Sequence, residues 1–454
     1  MASLTLFGGV NEIGGNKFLV ESGKTRIFLD FGQSFLLLDD YFVDWLQPRG
    51  RFGLKDYFAL GLMPQLTGLY NQEALARTNL KHTEPEFDAI FISHPHFDHT
   101  AHLQYLHQEI PIYLGETAKT ILESTQETTN SFFFSEEQIE KRDKTIIPPN
   151  DVHAFRTGKK IAIGDIEVTP IHVDHSVPGA YGFLVETKEG RLVYSGDLRA
   201  HGNKPEMTEE FVKKAVKFEP NLLIIEGTRV SSGEKRKNHT EQIVREGSGK
   251  VVGETKGLVL AMRYPKDLDR FRTFYELAKK TGKKLVISMK TAHLLISLQK
   301  DAKLALPNPL KDKNIEIYAR EMKAYKKWET EMLEHTVDSK WVKGNQKNVI
   351  WELDFTQLQE LIDIQPKGGV CIHSMSEPFE EDPMSQLQDE VLHNWLDKFA
   401  MPHHQLHASG HASMQEIFDM IGEIKPEKLV PVHTHGCELF PKHLDIEKGK
   451  KIEI

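Results

Sequence analysis

Cysteine is scarce: Cys371 and Cys437 are the only two in 454 residues. They form no CxxC spacing and suggest no disulfide framework, which fits a reducing cytoplasm. No apolar run approaches the ~18 residues of a membrane span. The opening stretch, MASLTLFGGV, lacks the basic segment and long apolar run of a signal peptide. Positive charge is not in excess either. A net charge of −9 argues against coating nucleic acid through bulk charge. It leaves room for a local basic groove, because binding depends on where charge sits. There is no internal repeat and no low-complexity tail. What the chain does have is histidine, 22 of them, unevenly spread. Hydrophobic (39%) and charged (27%) fractions are ordinary for a globular protein. The length points to two domains, with insertion of one into the other as an option.

The first thirty residues read as a strand meander: SLTLFGG and NKFLVES flank the glycine-rich VNEIGGN, and TRIFLDFG follows. Residues 34 to about 84 are irregular and carry Phe35, Tyr41, Phe42, Trp45, Phe52, Tyr57 and Phe58. They read as an insertion with short helices that packs over the site or a neighbour. FDAIFIS is a buried strand ending at HPHFDH, with helical periodicity expected from Thr100 to His107. A second meander covers EVTPIHV, YGFLVET and RLVYSGD, before the helix TEEFVKKAVKF and the strand NLLIIEG. From about 230 to 400, strands such as GLVLAM, KKLVISM, NVIWEL and GGVCIHS alternate with helices, as in a parallel sheet with crossover helices. The last fifty residues return to strand, helix and strand.

HPHFDH supplies His94, His96, Asp98 and His99 at a strand end. Positions i and i+2 of an extended stretch share one side and can hold one metal, while Asp98 and His99, at the turn, can face a second. Imidazole suits Zn²⁺ and carboxylate fills a remaining place. Further donors follow later apolar strands: His172, Asp174 and His175 in HVDHSVPG, Asp197 and His201 in YSGDLRAHG, His433 and His435 in PVHTHG.

HxHxDH, a downstream histidine, SGD and a late PVH together resemble the metallo-β-lactamase superfamily. The resemblance implies an αββα sandwich with metals at one edge. It also implies one zinc on His94, His96 and His175, a second on Asp98, His99 and His433, and Asp197 between them. Mn²⁺ is the alternative ion. Asp174 would orient a ligand histidine, since such ligands commonly donate their other N–H to a carboxylate or carbonyl. Two ions about 3.5–4 Å apart can clamp the attacking and leaving oxygens of an in-line displacement. That chemistry serves esters, thioesters, lactams and phosphodiesters alike.

The block from 230 to 400 lies between Glu226 and His433, both assigned to the first domain. This gives a metallo-β-lactamase domain over 1–230 and 401–454, with an α/β domain inserted over 231–400. That organisation resembles the β-CASP branch, whose members cleave nucleic acids. So do an acidic residue at a strand end (Glu226), a histidine before the last helix (His411) and the late His433. HASGHAS and GGVNEIGGN resemble ribonuclease J. On that resemblance His411 protonates the departing 3′ oxygen, and His407, Ser409 and Gly410 handle phosphate. Ser413 either binds a 5′ phosphate at a helix N-terminus or caps the helix near Met414. Glu226 holds a neighbouring histidine or backbone amide. The chain ends about twenty residues after His433, like the short archaeal form without a further C-terminal domain, and His435 stands where many relatives have an acid.

The expected function is a cytoplasmic, zinc-dependent ribonuclease acting on single-stranded RNA from the 5′ end. The alternatives are a mainly endonucleolytic enzyme and a small-molecule metallo-hydrolase such as a lactonase or thioesterase. Partners are RNA and, optionally, a second copy of the chain, without a membrane. Basic clusters at Lys235–Lys237 and at Lys323, Lys326 and Lys327, beside Tyr325 and Trp328, are candidates for the RNA path.

Overall fold

The structure, a computed structural model, describes residues 1–454 except 35–37, 44, 135–137, 140–145, 148–149 and 379–381. Phe35, among the aromatics named above, lies outside the described residues.

Two sheets stack face to face. The first runs in the spatial order Lys451–Glu453, Ser3–Leu6, Phe18–Ser22, Thr25–Leu29, Ala89–Ile92, Ile112–Gly115, Val152–Phe155. The second runs Lys428–Val432, Leu222–Glu226, Arg191–Tyr194, Tyr181–Thr187, Ile166–His172, Ile161–Ile163. Side chains alternate between faces along a strand, so each strand serves two cores. Ile27 and Leu29 face inward against Phe183, Val185 and Ile224 of the second sheet, while Phe28 faces outward. The short helices of the aromatic insertion, Lys55–Ala59 and Gln72–Leu75, cover that outer face through Tyr57, Ala74 and Leu75. On the far side, helices Pro205–Phe218 and Met414–Ile424 cover the second sheet through Phe211, Val212, Ile417 and Ile421. This is the αββα sandwich. Within the aromatic insertion Tyr57 and Phe58 pack into that outer core, while Tyr41 and Trp45 are exposed.

A third, wholly parallel sheet is built from strands between Val259 and Gln405, in the order Thr336–Val337, Ile315–Tyr318, Lys284–Ser288, Val349–Glu352, Val259–Arg263, Val370–Ser374, His403–Gln405. Both its faces are buried, which is why its strands read as unbroken apolar runs. His403–Gln405 pairs with Val370–Ser374. This sheet therefore takes in residues that the sequence reading gave to the closing segment from 401. Lys428–Val432 then returns to the second sheet beside Leu222–Glu226, and Lys451–Glu453 pairs with Ser3–Leu6.

The helix expected from Thr100 to His107 is instead a short turn of helix, Phe97–Thr100, and a 3₁₀ turn, Leu103–Tyr105. The amides of His102 and His107 donate to Phe31 and Leu69 carbonyls. Tertiary partners take the hydrogen bonds that would have continued the helix. No helix among the described residues is long and apolar enough to cross a membrane.

Candidate metal centre

Strand ends of both sheets meet at one edge of the sandwich. His94, His96, Asp98 and His99 follow Ala89–Ile92. His175 follows Ile166–His172, Asp197 follows Arg191–Tyr194, and His433 follows Lys428–Val432. Two groups of ligand atoms form there, each within 4.8 Å: His94, His96, His175 and Asp197, and Asp98, His99, Asp197 and His433. Asp197 is common to both, and to a third group with Glu226 and His411. In the first group His96 Nδ1 lies 3.0 Å from His94 Nε2 and 3.1 Å from His175 Nε2. In the second, His433 Nε2 lies 2.8 Å from Asp98 Oδ2, and His99 Nε2 lies 3.3 Å from Asp197 Oδ2.

Glycines let the backbone close on this turn. A Cβ on Gly32 would sit 1.6 Å from the Asp98 carbonyl oxygen, and one on Gly14 2.7 Å from Asp98 Cβ. The amide of Gly15 donates to that carbonyl, and His433 N donates to Gly9 O. The GGVNEIGGN loop therefore seats both the HPHFDH turn and His433.

Asp30 and Thr228, outside the sequence-based set, and Gly410, expected to handle phosphate, face the outer nitrogens of the ligand histidines. Asp30 Oδ2 is 2.7 Å from His99 Nδ1, and Asp30 also accepts from Ser93 Oγ, Ser93 N and Tyr194 OH. Thr228 Oγ1 lies 2.8 Å from His433 Nδ1, and Gly410 O lies 2.6 Å from His175 Nδ1. Asp30 and His433 have φ of +59° and +55°, left-handed conformations that cost on the order of 1 kcal/mol each and persist where the surroundings dictate them. Asp30 closes an apolar strand as Glu226 does, and that shared signal could have found it. An Asp30→Asn variant is expected to lose about 10–100-fold in metal affinity, as outer partners of ligand histidines commonly do. Zinc competition with a chromophoric chelator measures this, and unchanged affinity would refute the role.

The donor set suits a divalent cation. Asp197 Oδ1 is buried without a hydrogen-bond partner among the described residues, and Asp197 Oδ2 meets only ring nitrogens, at 3.3 to 3.8 Å. Such groups are rare unless an ion or water satisfies them. Burial works against charge on His433, yet Asp197 and Asp98 push it up to about 9. Burial likewise disfavours a charged His99, and Asp197, Asp98 and Asp30 push it well above its ordinary value. The carboxylates draw protons onto these rings, and a metal ion would displace them.

Around the centre, His411 Nδ1 lies 3.1 Å from Glu226 Oε1, 3.1 Å from Thr228 Oγ1 and 3.8 Å from Asp197 Oδ2. Glu226 also accepts from the amides of Leu198 and Thr228. His407 and Ser409 line a cleft of about 220 Å³ with Arg229, Lys235, Arg236 and Lys237. Burial, with Arg270 nearby, pushes His407 well down, which leaves it a neutral hydrogen-bonding group.

Asp174 and Gly410 sit differently from the expectation, and Ser413 takes the capping alternative. The Asp174 carboxylate faces Arg199 and the Lys204 amide, and the Gly410 carbonyl takes the place expected for it beside His175. Gly410 thus holds a ligand, and a Cβ there would meet His175 and Ser176 at 3.0 and 2.9 Å. Ser413 caps helix Met414–Ile424 in a capping box, its hydroxyl 2.9 Å from Glu416 Oε2. A carboxylate already occupies that helix start, which disfavours a phosphate. His172 packs on Tyr181, and His107 stacks on His82. His102 lies between Tyr57 and Tyr105. His201 joins Glu416 to the Ser409 carbonyl. Of the second basic cluster, Trp328 packs on His293.

Residues 64–254 match the family described as beta-lactamase superfamily domain, and residues 400–454 match the Zn-dependent metallo-hydrolase RNA specificity domain. The chain carries a metallo-β-lactamase domain together with that RNA-specificity domain. It fits the β-CASP branch of that superfamily. Ribonuclease J of Mycoplasma pneumoniae is 24% identical over 441 residues, covering 94% of this chain and 67% of that protein. Ribonuclease J of the archaeon Pyrococcus abyssi is 24% identical over 460 residues, covering 97% and 92%. A crystal structure of a protein of unknown function from Enterococcus faecalis V583 shares the fold, with a TM-score of 0.78 at 23% identity over the whole of both chains. The metallo-β-lactamase framework thus accounts for the two stacked sheets, and it places the ligand groups at their shared edge.

Proposed function

We propose that this chain is a zinc-dependent ribonuclease of the ribonuclease J type, which removes nucleotides from the 5′ end of single-stranded RNA. The carrying observation is one chain segment: Gly410 O meets His175 of the first ligand group, while His407 and Ser409 just before it line a cleft with Arg229, Lys235, Arg236 and Lys237. A lactonase or thioesterase has no use for that many cations beside its metals, whereas a phosphodiester backbone does.

His94, His96, His175 and Asp197 would hold one Zn²⁺, and Asp98, His99, His433 and Asp197 a second. Ions held there lower the pKa of water from ~15.7 toward ~7 and neutralise charge on the phosphate. The protein's own groups do the rest. His407 and Ser409 bind phosphate oxygens where they line the cleft. The Nδ1 side of His411 is occupied by Glu226 and Thr228, so Nε2 is the atom left to give a proton to the departing 3′ oxygen. The basic residues carry the rest of the strand, so affinity falls with added salt.

RNA labelled at its 5′ end tests the direction, with Zn²⁺ or Mn²⁺ added. Labelled mononucleotide as the first product is expected. Labelled oligonucleotides of intermediate length would establish the endonucleolytic alternative, and turnover of an ester panel without RNA cleavage would overturn the nuclease reading.

A further inference from the structure

One loop of the domain built on the third sheet reaches the metal-binding turn of the sandwich. Lys266 Nζ donates to the carbonyl of Pro95 at 2.9 Å, and Pro95 stands between His94 and His96 of the first ligand group. The loop joins strand Val259–Arg263 to helix Leu268–Thr281. Arg263, buried at the end of that strand, donates to the carbonyls of Tyr264, Pro265 and Asp267 at 3.0, 3.1 and 3.3 Å. Asp267 caps the helix by accepting from Arg270 N at 2.9 Å. The loop is thus clamped from both ends. Tyr264, two residues before Lys266, sets its ring at 72° to that of His407 with the centroids 6.2 Å apart, and His407 lines the cleft. The same short loop therefore touches the ligand turn and the wall of the cleft.

Lys266 carries a charge without a counter-ion. The buried arginines behind it are paired: Arg199 and Arg270 with Glu241, and Arg263 with Glu352. Lys266 is half-buried, and among the described residues it forms no ion pair and has Pro95 O as its one hydrogen-bond partner. Burial pushes it down to about 8 while Asp98 acts the other way, so it is mainly protonated near pH 7. Its charge is felt at the ligands, since it adds to the burial and the His175 neighbour that push His96 well down. Like charges repel more strongly in a protein interior than in water. An ammonium beside His96 therefore weakens the hold on a dication, and it strengthens the hold on an anion that the dication attracts. An ammonium has three donors, and the Pro95 carbonyl takes one of them.

We propose that Lys266 is a phosphate-binding residue of the centre, its remaining N–H groups contacting a non-bridging oxygen of the phosphate that the ligand groups receive. Lysine suits this task as a compact point charge with rotatable donors. The Pro95 bond fixes where the ammonium stands, and the Arg263 clamp fixes the loop that delivers it. The inserted domain then supplies a group to the reacting phosphate itself, beyond carrying the strand. The role rests on the phosphodiester reading for the identity of the anion, and on the Pro95 contact for its place.

Inorganic phosphate titrated calorimetrically into the whole chain, with and without bound Zn²⁺, tests this without any cleavage assay. Phosphate held by the cleft cations appears in both forms, so the zinc-dependent part reads the centre. That part is expected to weaken about 10–100-fold in Lys266→Met and in Lys266→Gln, the range of a hydrogen bond to a charged group. Lys266→Gln keeps a donor for the Pro95 carbonyl, and Lys266→Arg, which keeps the charge, should recover most of the affinity. Zinc affinity, read by chelator competition, should stay at or above the native level in both neutral variants. Native zinc-dependent phosphate binding in either neutral variant overturns the inference, and so does its absence from the native chain. Zinc affinity reduced tenfold or more in both neutral variants overturns it too, because Lys266 would then be a brace for the ligand turn. A native chain that binds phosphate through Lys266 yet leaves labelled RNA intact would overturn the nuclease reading alone.

Discussion

Asp197→Ala abolishes RNA cleavage while RNA binding survives. Asp197 alone belongs to all three ligand groups at the centre. Its carboxylate faces His94 Nε2 at 3.5 Å, His99 Nε2 at 3.3 Å and His433 Nε2 at 3.8 Å. Burial works against its ionisation, yet His433, His99 and His94 hold its carboxyl well below the ordinary range. Alanine leaves buried imidazoles facing one another with no anion between them, and both proposed ions lose a ligand at once. Losing a mere outer partner commonly costs 10–100-fold, so loss of the shared ligand is expected to exceed that range by at least another factor of ~10. No residue lining the cleft belongs to a ligand group, so the dissociation constant for RNA should change by less than about threefold. Asp98→Ala follows the same argument on one group only. Single-turnover cleavage, gel-shift binding and metal content measured together decide it. Full cleavage by Asp197→Ala with its metal retained would end the two-group reading.

The sequence disclosed this centre because its ligands end apolar strands, and a strand end is where a side chain can leave the core. HPHFDH, SGD and PVH each follow such a run. Parts that depend on the path of the chain were not legible. Gly410 holds His175 through a carbonyl, and every residue has a carbonyl, so composition carries no trace of that role. Arg199 and Arg270 were hidden for another reason. Both are fully buried and share Glu241 Oε1, at 2.9 and 3.1 Å. Arg199 also donates to the Ser409 carbonyl, and Arg270 to those of Leu406 and Ala408. These buried charges shape the HASGHAS backbone, yet in sequence they look like ordinary polar positions on a helix or loop. The pairing of strand His403–Gln405 was missed because its three residues, HHQ, carry no apolar signal.

His411→Ala slows the chemical step by about 10²–10⁴-fold, the usual contribution of a positioned acid, with RNA affinity nearly unchanged. His411 links the centre, where its Nδ1 lies 3.8 Å from Asp197 Oδ2, to the HASGHAS turn. Its own backbone amide donates to Ser409 Oγ at 3.1 Å, which locks the turn that presents it. Burial alone would raise the Glu226 carboxyl, but His411 beside it holds that group below its ordinary value, so a carboxylate backs the ring. The imidazole thus has Nδ1 held by Glu226 and Thr228, which on the proposed function leaves Nε2 as the acid, and neither nitrogen belongs to the two principal ligand groups. Metal content should therefore stay at the native level in His411→Ala, which separates it from Asp197→Ala. A substrate with a 3′-thio leaving group, which departs without protonation, should recover most of the lost rate in the variant. Failure of that rescue would assign His411 to holding the phosphate instead of protonating the leaving oxygen. Glu226→Gln, which keeps the shape but removes the charge behind the ring, should reproduce part of the same loss and part of the same rescue.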